Sequence, residues 1–283
     1  MRRCALPTSV EFAATWGRLS HAERNAAYNN SEAVKNSPAL NEVRLAASAA
    51  FRTAHAGKLD LPYGKAERQK WDLFPAEKAD APCFVFIHGG YWQRGKREEN
   101  SIAGAGLYAQ GWSVALPGYT LTPEATLTEI VAEIHAALDW LAAHGAEHGI
   151  TGKVVLSGWS AGGHLAAMGL KHPRVSAGLP VSGVYELGPI RDVYLNDAIR
   201  LTDTEIETLS PLRLPMVNKP MDIAYGSVEL PPLVHDPRDL HAMRAAQHLP
   251  GALIPVPGAD HFTIIDQLSK PEGMLVKAAM NLV

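Results

Sequence analysis

From Pro82 to the C-terminus, short apolar runs alternate with stretches of helical periodicity. Cys83–Ile87, Trp112–Leu116, Lys153–Ser157, Leu179–Ser182, Met221–Tyr225 and Ala252–Val256 read as strands. Between and after them lie predicted helices at about 98–110, 127–144, 237–248 and 272–282. Thr126, with Glu129 three residues on, forms a capping box for the second of these, and Gly145 is its stop. Strands that are apolar on both faces and separated by helices predict an α/β class, a mostly parallel central sheet with helices on both faces.

Upstream the pattern is different. Residues 8–56 are rich in Ala, Asn and Glu and predict helices at roughly 10–18, 20–34 and 39–54. Val43, Leu45, Ala46 and Ala49 would form the inward face of the last. Residues 1–56 are therefore expected to be an N-terminal helical arm packed on a main domain at 57–283. Leu59–Gly64 and Gln69–Pro75 predict two antiparallel strands joined by a polar turn. Residues 183–219 interrupt the alternation with Tyr185, Pro189, Tyr194, Asn196, Pro211 and Pro215. They are expected to form a cap or lid excursion that lines a pocket, against the plainer alternative of a long surface connection.

Composition narrows the function classes. The 283 residues are 47% hydrophobic, enough to bury one large core. Lys plus Arg is 26 against 29 for Asp plus Glu, a formal charge of −3 without a basic block, which argues against a nucleic-acid partner. No stretch of about 18 apolar residues occurs, and no apolar core follows Arg2 and Arg3, so neither a membrane span nor a signal peptide is expected. Cys4 and Cys83 are the only cysteines. A terminal and a buried cysteine are not a disulfide framework, and a cytoplasmic location is expected.

Ligands of parallel sheets bind at the carboxyl ends of the strands. Three chemically loaded segments fall there: 88–92, 158–162 and 257–263. In Gly158-Trp159-Ser160-Ala161-Gly162 a strand meets a helix at a serine, with glycines where the two backbones approach too closely for a Cβ. The plainer reading is a serine that caps the helix. A serine nucleophile needs a base held by an acid, in the chain order Ser, acid, His. His164 is too close to Ser160 to reach back onto it and is expected to be a packed or capping residue. His172, His235, His241 and His248 lack a preceding strand. His261, after the last strand, is the expected base. Glu229 follows the strand before it and is the expected acid. Its competitors are Asp222, at the wrong end of that strand, and Asp236, further on near the next helix.

The oxyanion formed on attack needs fixed N–H donors. Ala161 supplies one, and Gly90 and Tyr91 of His88-Gly89-Gly90-Tyr91-Trp92 are the expected others, with Gly89 making the turn. His88 is read as a loop-fixing hydrogen-bonder. Tyr91, Trp92 and Trp159 are the candidate walls of the substrate pocket. Gly104-Ala105-Gly106 matches a relaxed dinucleotide pattern but follows a charged stretch instead of a strand. His144 and His148 have metal-like spacing, but Gly145 breaks the helix between them. No metal and no cofactor is therefore expected.

Several segments together resemble the animal-type kynurenine formamidases (arylformamidases) and their bacterial relatives. They are His88-Gly89-Gly90-Tyr91-Trp92-Gln93 with Gly95-Lys96, Gly158 through Met168, Val181-Ser182-Gly183-Val184-Tyr185-Glu186-Leu187, Ser210-Pro211, and Asp260-His261-Phe262-Thr263-Ile264-Ile265. The resemblance runs from about Tyr63 onward. It implies an α/β-hydrolase fold, close to hormone-sensitive-lipase-like esterases, and a triad on Ser160, Glu229 and His261. Two positions depart from the family. Glu229 stands where the acid is usually Asp, and Trp159 where the animal enzymes resemble each other in having His. The expectation is a cofactor-independent serine hydrolase of a small ester or an N-formyl or aryl amide. A general short-chain carboxylesterase is its rival, and a non-catalytic hydrolase-fold receptor a remote alternative. The sequence is compatible with a homo-oligomer.

Overall fold

A computed structural model describes residues 15–283. The helix expected over 10–18 lies largely outside these residues, and Cys4 lies wholly outside them. The centre is a sheet of β1 (Lys58–Pro62), β2 (Lys70–Phe74), β3 (Cys83–Ile87), β4 (Ser113–Pro117), β5 (Val154–Trp159), β6 (Val175–Val181), β7 (Ile223–Gly226) and β8 (Leu253–Val256). Their spatial order is β1-β2-β4-β3-β5-β6-β7-β8. β1 and β2 pair antiparallel, as do β2 and β4, and the remaining neighbours run parallel. β3 and β5 are in register from Cys83 against Val154 to Ile87 against Gly158. That register sets the loop after β3 directly beside the turn after β5.

Alternation along each strand divides the core in two. β3 sends Cys83, Val85 and Ile87 into one cluster and Phe84 and Phe86 into the other. The first cluster is closed by helix Leu127–His144, whose buried Leu127, Ile130, Val131, Ile134, Ala137, Leu138 and Leu141 repeat at helical spacing. Each large side chain buried this way contributes roughly 1.5–3 kcal/mol relative to exposure. The Thr126–Glu129 capping box starts this helix, and Gly145 is its C-cap residue. The second cluster is closed by helices Ala105–Ala109 and Met274–Asn281 and by the buried Phe51 of helix Ser37–Ala54.

Several elements differ from expectation. The helix expected over 20–34 breaks at Tyr28, giving His21–Ala27 and Asn30–Ala33, because the Asn29 side chain accepts from Glu32 N–H and restarts the helix. In Ser37–Ala54 the expected inward face points outward. Val43 and Leu45 are 68% and 44% exposed, whereas Ser37, Ser48 and Phe51 are buried. The face turns inward for polar reasons: Ser48 Oγ donates to the Glu99 carbonyl (3.0 Å) and accepts from Ile102 N–H (3.2 Å). The segment expected as helix 98–110 begins as a 3₁₀ turn, Glu98–Gly104. β6 starts earlier than the 179–182 reading, and the helix read at 237–248 spans Pro231–Ala245, with Pro237 inside it.

Candidate active site

At the end of β5 the chain reverses into helix Ala161–Gly169 through one residue. Ser160 has φ 57° and ψ −119°, a backbone state that costs on the order of 1–3 kcal/mol and persists only where neighbours fix it. Its N–H donates to the Val181 carbonyl (2.9 Å), and its carbonyl accepts from His164 N–H (3.1 Å). The glycine sterics are borne by backbone. A Cβ on Gly158 would strike the Gly162 carbonyl, and one on Gly162 the Ile87 carbonyl.

His261 lies in the loop after β8, 4% exposed. Its Nδ1 is 2.8 Å from Glu229 Oε2, so Nδ1–H donates to the carboxylate and Nε2 is the free nitrogen. The loop is pinned by Asp260, which accepts from Phe262 N–H (2.8 Å) and Thr263 N–H (2.9 Å). The Trp159 indole N–H donates to the His261 carbonyl (2.8 Å), tying the His261 backbone to the residue before Ser160. Glu229 closes the turn after β7, and its side chain has no solvent exposure. Its second oxygen, Oε1, accepts from Gly226 N–H (2.6 Å) and from Ser182 Oγ (2.5 Å). Of its competitors, Asp236 is buried inside helix Pro231–Ala245 and accepts from Tyr185 and Glu186 N–H. Asp222 accepts from Ala252 N–H at the opposite end of β7.

The loop after β3 runs over Ser160 with Gly90, Tyr91 and Trp92 all at positive φ (116°, 50° and 58°). Among the described residues, neither Gly90 nor Tyr91 donates its N–H to a protein acceptor. Ala161, the first residue of its helix, likewise has no carbonyl a turn behind it to receive its N–H. His88 stacks on Tyr119 (4.3 Å between centroids) and donates from Nδ1 to the Gly89 carbonyl (2.8 Å). Burial pushes its pKa down to about 3, so it is a neutral brace of the loop. Burial likewise brings His164 down to about 4, and its Nε2–H donates to the Leu209 carbonyl (2.8 Å).

A cavity of about 300 Å³ is lined by Ser160, His261, Trp159, Phe262, Gly89, Gly90 and Tyr91 from the strand ends and by Asn30, Asn41 and Arg44 from the N-terminal helices. A neighbouring cavity of about 290 Å³ shares Asn30 and His261 with it. The Arg44 guanidinium lies 4.5 Å over the Trp159 ring, and burial lowers its pKa. Two expectations about the walls are corrected. Trp92 is fully buried and packs edge-on against His164 (5.1 Å), so it does not line the cavity. Nor does any residue of 183–219. That excursion is held elsewhere, with Tyr185 and Glu186 on Asp236 and Leu209 on His164. The wall expected from it comes from Asn30 and Arg44, which sequence reasoning passed over along with Ser182. Ser182 had a usable signal, because it too ends a parallel strand.

Among the described residues no three His, Cys, Asp or Glu side chains are grouped to hold a metal ion. Gly104 and Gly106 of the dinucleotide-like pattern pack closely on Val114 and on the Leu268 carbonyl. No helix of the described residues is long and apolar enough to cross a membrane.

The BD-FAE family model matches residues 72–175. The kynurenine formamidase of Salmo salar is 30% identical over 74% of this chain and 76% of its own length. The kynurenine formamidase of Danio rerio is 26% identical over 80% and 81%. A solved structure from Silicibacter sp. TM1040 superposes with a TM-score of 0.81 at 28% identity, covering 91% of this chain and 99% of that one. Such a match to the salmon enzyme, over a strand-end grouping of serine, histidine and carboxylate, makes the chain an α/β-hydrolase of ester or amide bonds and a member of the kynurenine formamidase family.

Proposed function

We propose that the chain is a serine hydrolase that cleaves a small carboxylic ester or an N-formyl or aryl amide through an acyl-enzyme. The observation that carries this reading is the Nδ1–Oε2 hydrogen bond of 2.8 Å between His261 and Glu229, beside a cavity that Ser160 also lines. Glu229 fixes the imidazole tautomer, so Nε2 takes the Ser160 proton as Oγ bonds to the acyl carbon. The N–H groups of Gly90, Tyr91 and Ala161 receive the oxyanion. His261 returns the proton to the leaving nitrogen or oxygen as its bond to carbon breaks. It then deprotonates a water that releases the acid from Ser160. Trp159, with Tyr91, walls the space beside the serine, and the two cavities sharing His261 offer room on either side of the scissile bond.

The relatives named kynurenine formamidase support a formamide of an aromatic amine as substrate. A general short-chain carboxylesterase is the second reading, favoured by Trp159 at the position before the nucleophile. We take residues 1–56 as an arm on a hydrolase domain at 57–283. The free, buried Cys83 supports a reducing, cytoplasmic setting, and small molecules, neither nucleic acid nor membrane, are the proposed partners.

Ser160→Ala is expected to lose turnover of p-nitrophenyl acetate and of N-formylkynurenine by a factor on the order of 10⁶, with its circular dichroism spectrum unchanged. Wild-type rates in the folded variant would sink the mechanism. The ratio of kcat/KM on the two substrates separates formamidase from esterase.

A further inference from the structure

The end of β6 touches two members of the proposed triad, Ser160 and Glu229, and nothing in the reaction scheme above uses it. The Val181 carbonyl accepts Ser160 N–H (2.9 Å), and the next residue, Ser182, donates its hydroxyl to Glu229 Oε1 (2.5 Å). Ser182 is fully buried, and its own N–H donates to the Ala224 carbonyl of β7 (2.8 Å). Its φ of 50° lies in the left-handed region, where a serine carries a backbone cost of about 1 kcal/mol or more. The fold tolerates that cost at the one point from which the hydroxyl meets the carboxylate.

We propose that Ser182 is a positioning residue that acts through Glu229 to hold His261 in register with Ser160; the proposal rests on the serine-hydrolase reading above. The physical need follows from the acid being glutamate. Its side chain has one more torsion than aspartate, so a single contact to His261 leaves the carboxylate free to swing. The structure divides the two oxygens: Oε2 faces His261 Nδ1, and Oε1 is held by Gly226 N–H and Ser182 Oγ. Two donors on one oxygen fix the plane of the carboxylate, and through it the plane of the imidazole. Val181 and Ser182 thereby couple nucleophile and acid through one rigid dipeptide.

The test is a double-mutant cycle on purified full-length protein with p-nitrophenyl acetate. Ser182→Ala and Ser182→Gly should both lower kcat roughly 10- to 100-fold with KM changed less than about threefold. Ser182→Thr, which keeps the hydroxyl, should recover most of kcat. In a Glu229→Gln background Ser182→Ala should add little, because the hydroxyl acts through the carboxylate. Glycine relieves the left-handed backbone, so recovery of kcat in Ser182→Gly would assign the serine a backbone role and overturn the proposal. An equal loss in both Glu229 backgrounds would overturn it too. If Ser182→Ala fails to fold, the Ser182→Gly and Ser182→Thr pair carries the same comparison. Ser160→Ala run alongside keeps the two readings apart. An inactive Ser160→Ala with a fully active Ser182→Ala refutes only the present inference, whereas an active Ser160→Ala refutes the hydrolase mechanism itself.

Discussion

Replacing Gly89 with alanine is a small change that should act on chemistry far more than on fold. Gly89 does not sit at a positive φ, so alanine meets no torsional barrier there. The cost is contact alone. A Cβ would lie 2.7 Å from the Trp159 carbonyl oxygen, 3.1 Å from Ser160 Cβ and 3.1 Å from Trp159 Cε3. Ordinary contact begins at 3.4 Å, so the gap to the carbonyl must open by 3.4 − 2.7 = 0.7 Å. Trp159 has little room to yield. Its backbone belongs to the central strand β5, and its indole is bonded to the His261 carbonyl. The displaced element is therefore the loop carrying Gly90 and Tyr91, which moves off Ser160 and takes its donors with it. A misplacement near 1 Å costs on the order of 100-fold in rate, and overpacking costs about 1–3 kcal/mol of stability. We expect Gly89→Ala to fall between 10- and 100-fold in kcat on p-nitrophenyl acetate while remaining folded by circular dichroism and thermal unfolding. A folded variant with wild-type kcat would refute the oxyanion role of this loop.

Two further predictions concern stability. Burial raises Asp236 from an ordinary value of 3.8 to about 7, against the two backbone N–H groups it accepts from. The folded state thus holds a proton that the unfolded chain releases, and stability falls as pH rises from about 4 through 7, by an amount on the order of a few kcal/mol. Asp236→Asn keeps an acceptor for both N–H groups and removes the titration. Its stability relative to wild type should rise between pH 5 and pH 8 in urea unfolding; a difference independent of pH contradicts the argument. Tyr91 OH donates to the Tyr28 carbonyl and accepts from Asn30 Nδ2, each at 2.9 Å. Tyr91→Phe leaves both buried partners unpaired and should cost roughly 1–3 kcal/mol; an unchanged urea midpoint would show that the tie contributes nothing.

What could be read from the sequence depended on whether the determinant was local. Helix Leu127–His144 was legible to the residue because its cap, apolar repeat and stop are all written within it. The elbow was legible because Gly158 and Gly162 stand at a fixed spacing around one serine, although the backbone that excludes a Cβ on Gly162 belongs to the distant Ile87. Helix Ser37–Ala54 formed where expected yet faced another way: Ser48 meets the 3₁₀ segment and Arg44 the cavity, which Leu45 also lines while partly exposed, and Val43 is left to solvent. Helix Pro231–Ala245 began six residues before its expected start, since Pro231 and Pro232 occupy its first turn, where proline is well tolerated. Ser182 and Asn30 escaped notice for a third reason. Each matters through one partner, Glu229 or Tyr91, that is 47 or 61 residues away in the chain.

The same distinction separates the proposed chemistry from selectivity. The BD-FAE match at 72–175 spans the loop after β3 and Ser160 but stops short of Ser182, Glu229 and His261, and begins after Asn30 and Arg44. The proposed nucleophile and its proposed oxyanion donors are set by two neighbouring parallel strands, a geometry that many hydrolases can share. The cavity opposite them is finished by helices that precede the sheet, where Arg44 covers Trp159 and Asn30 fastens Tyr91. An exchange at Trp159 alone would strand Arg44 without its aromatic partner, a contact worth about 0.5–2 kcal/mol. Substrate preference is therefore to be sought in Trp159 and Arg44 as a pair before it is sought in the proposed triad.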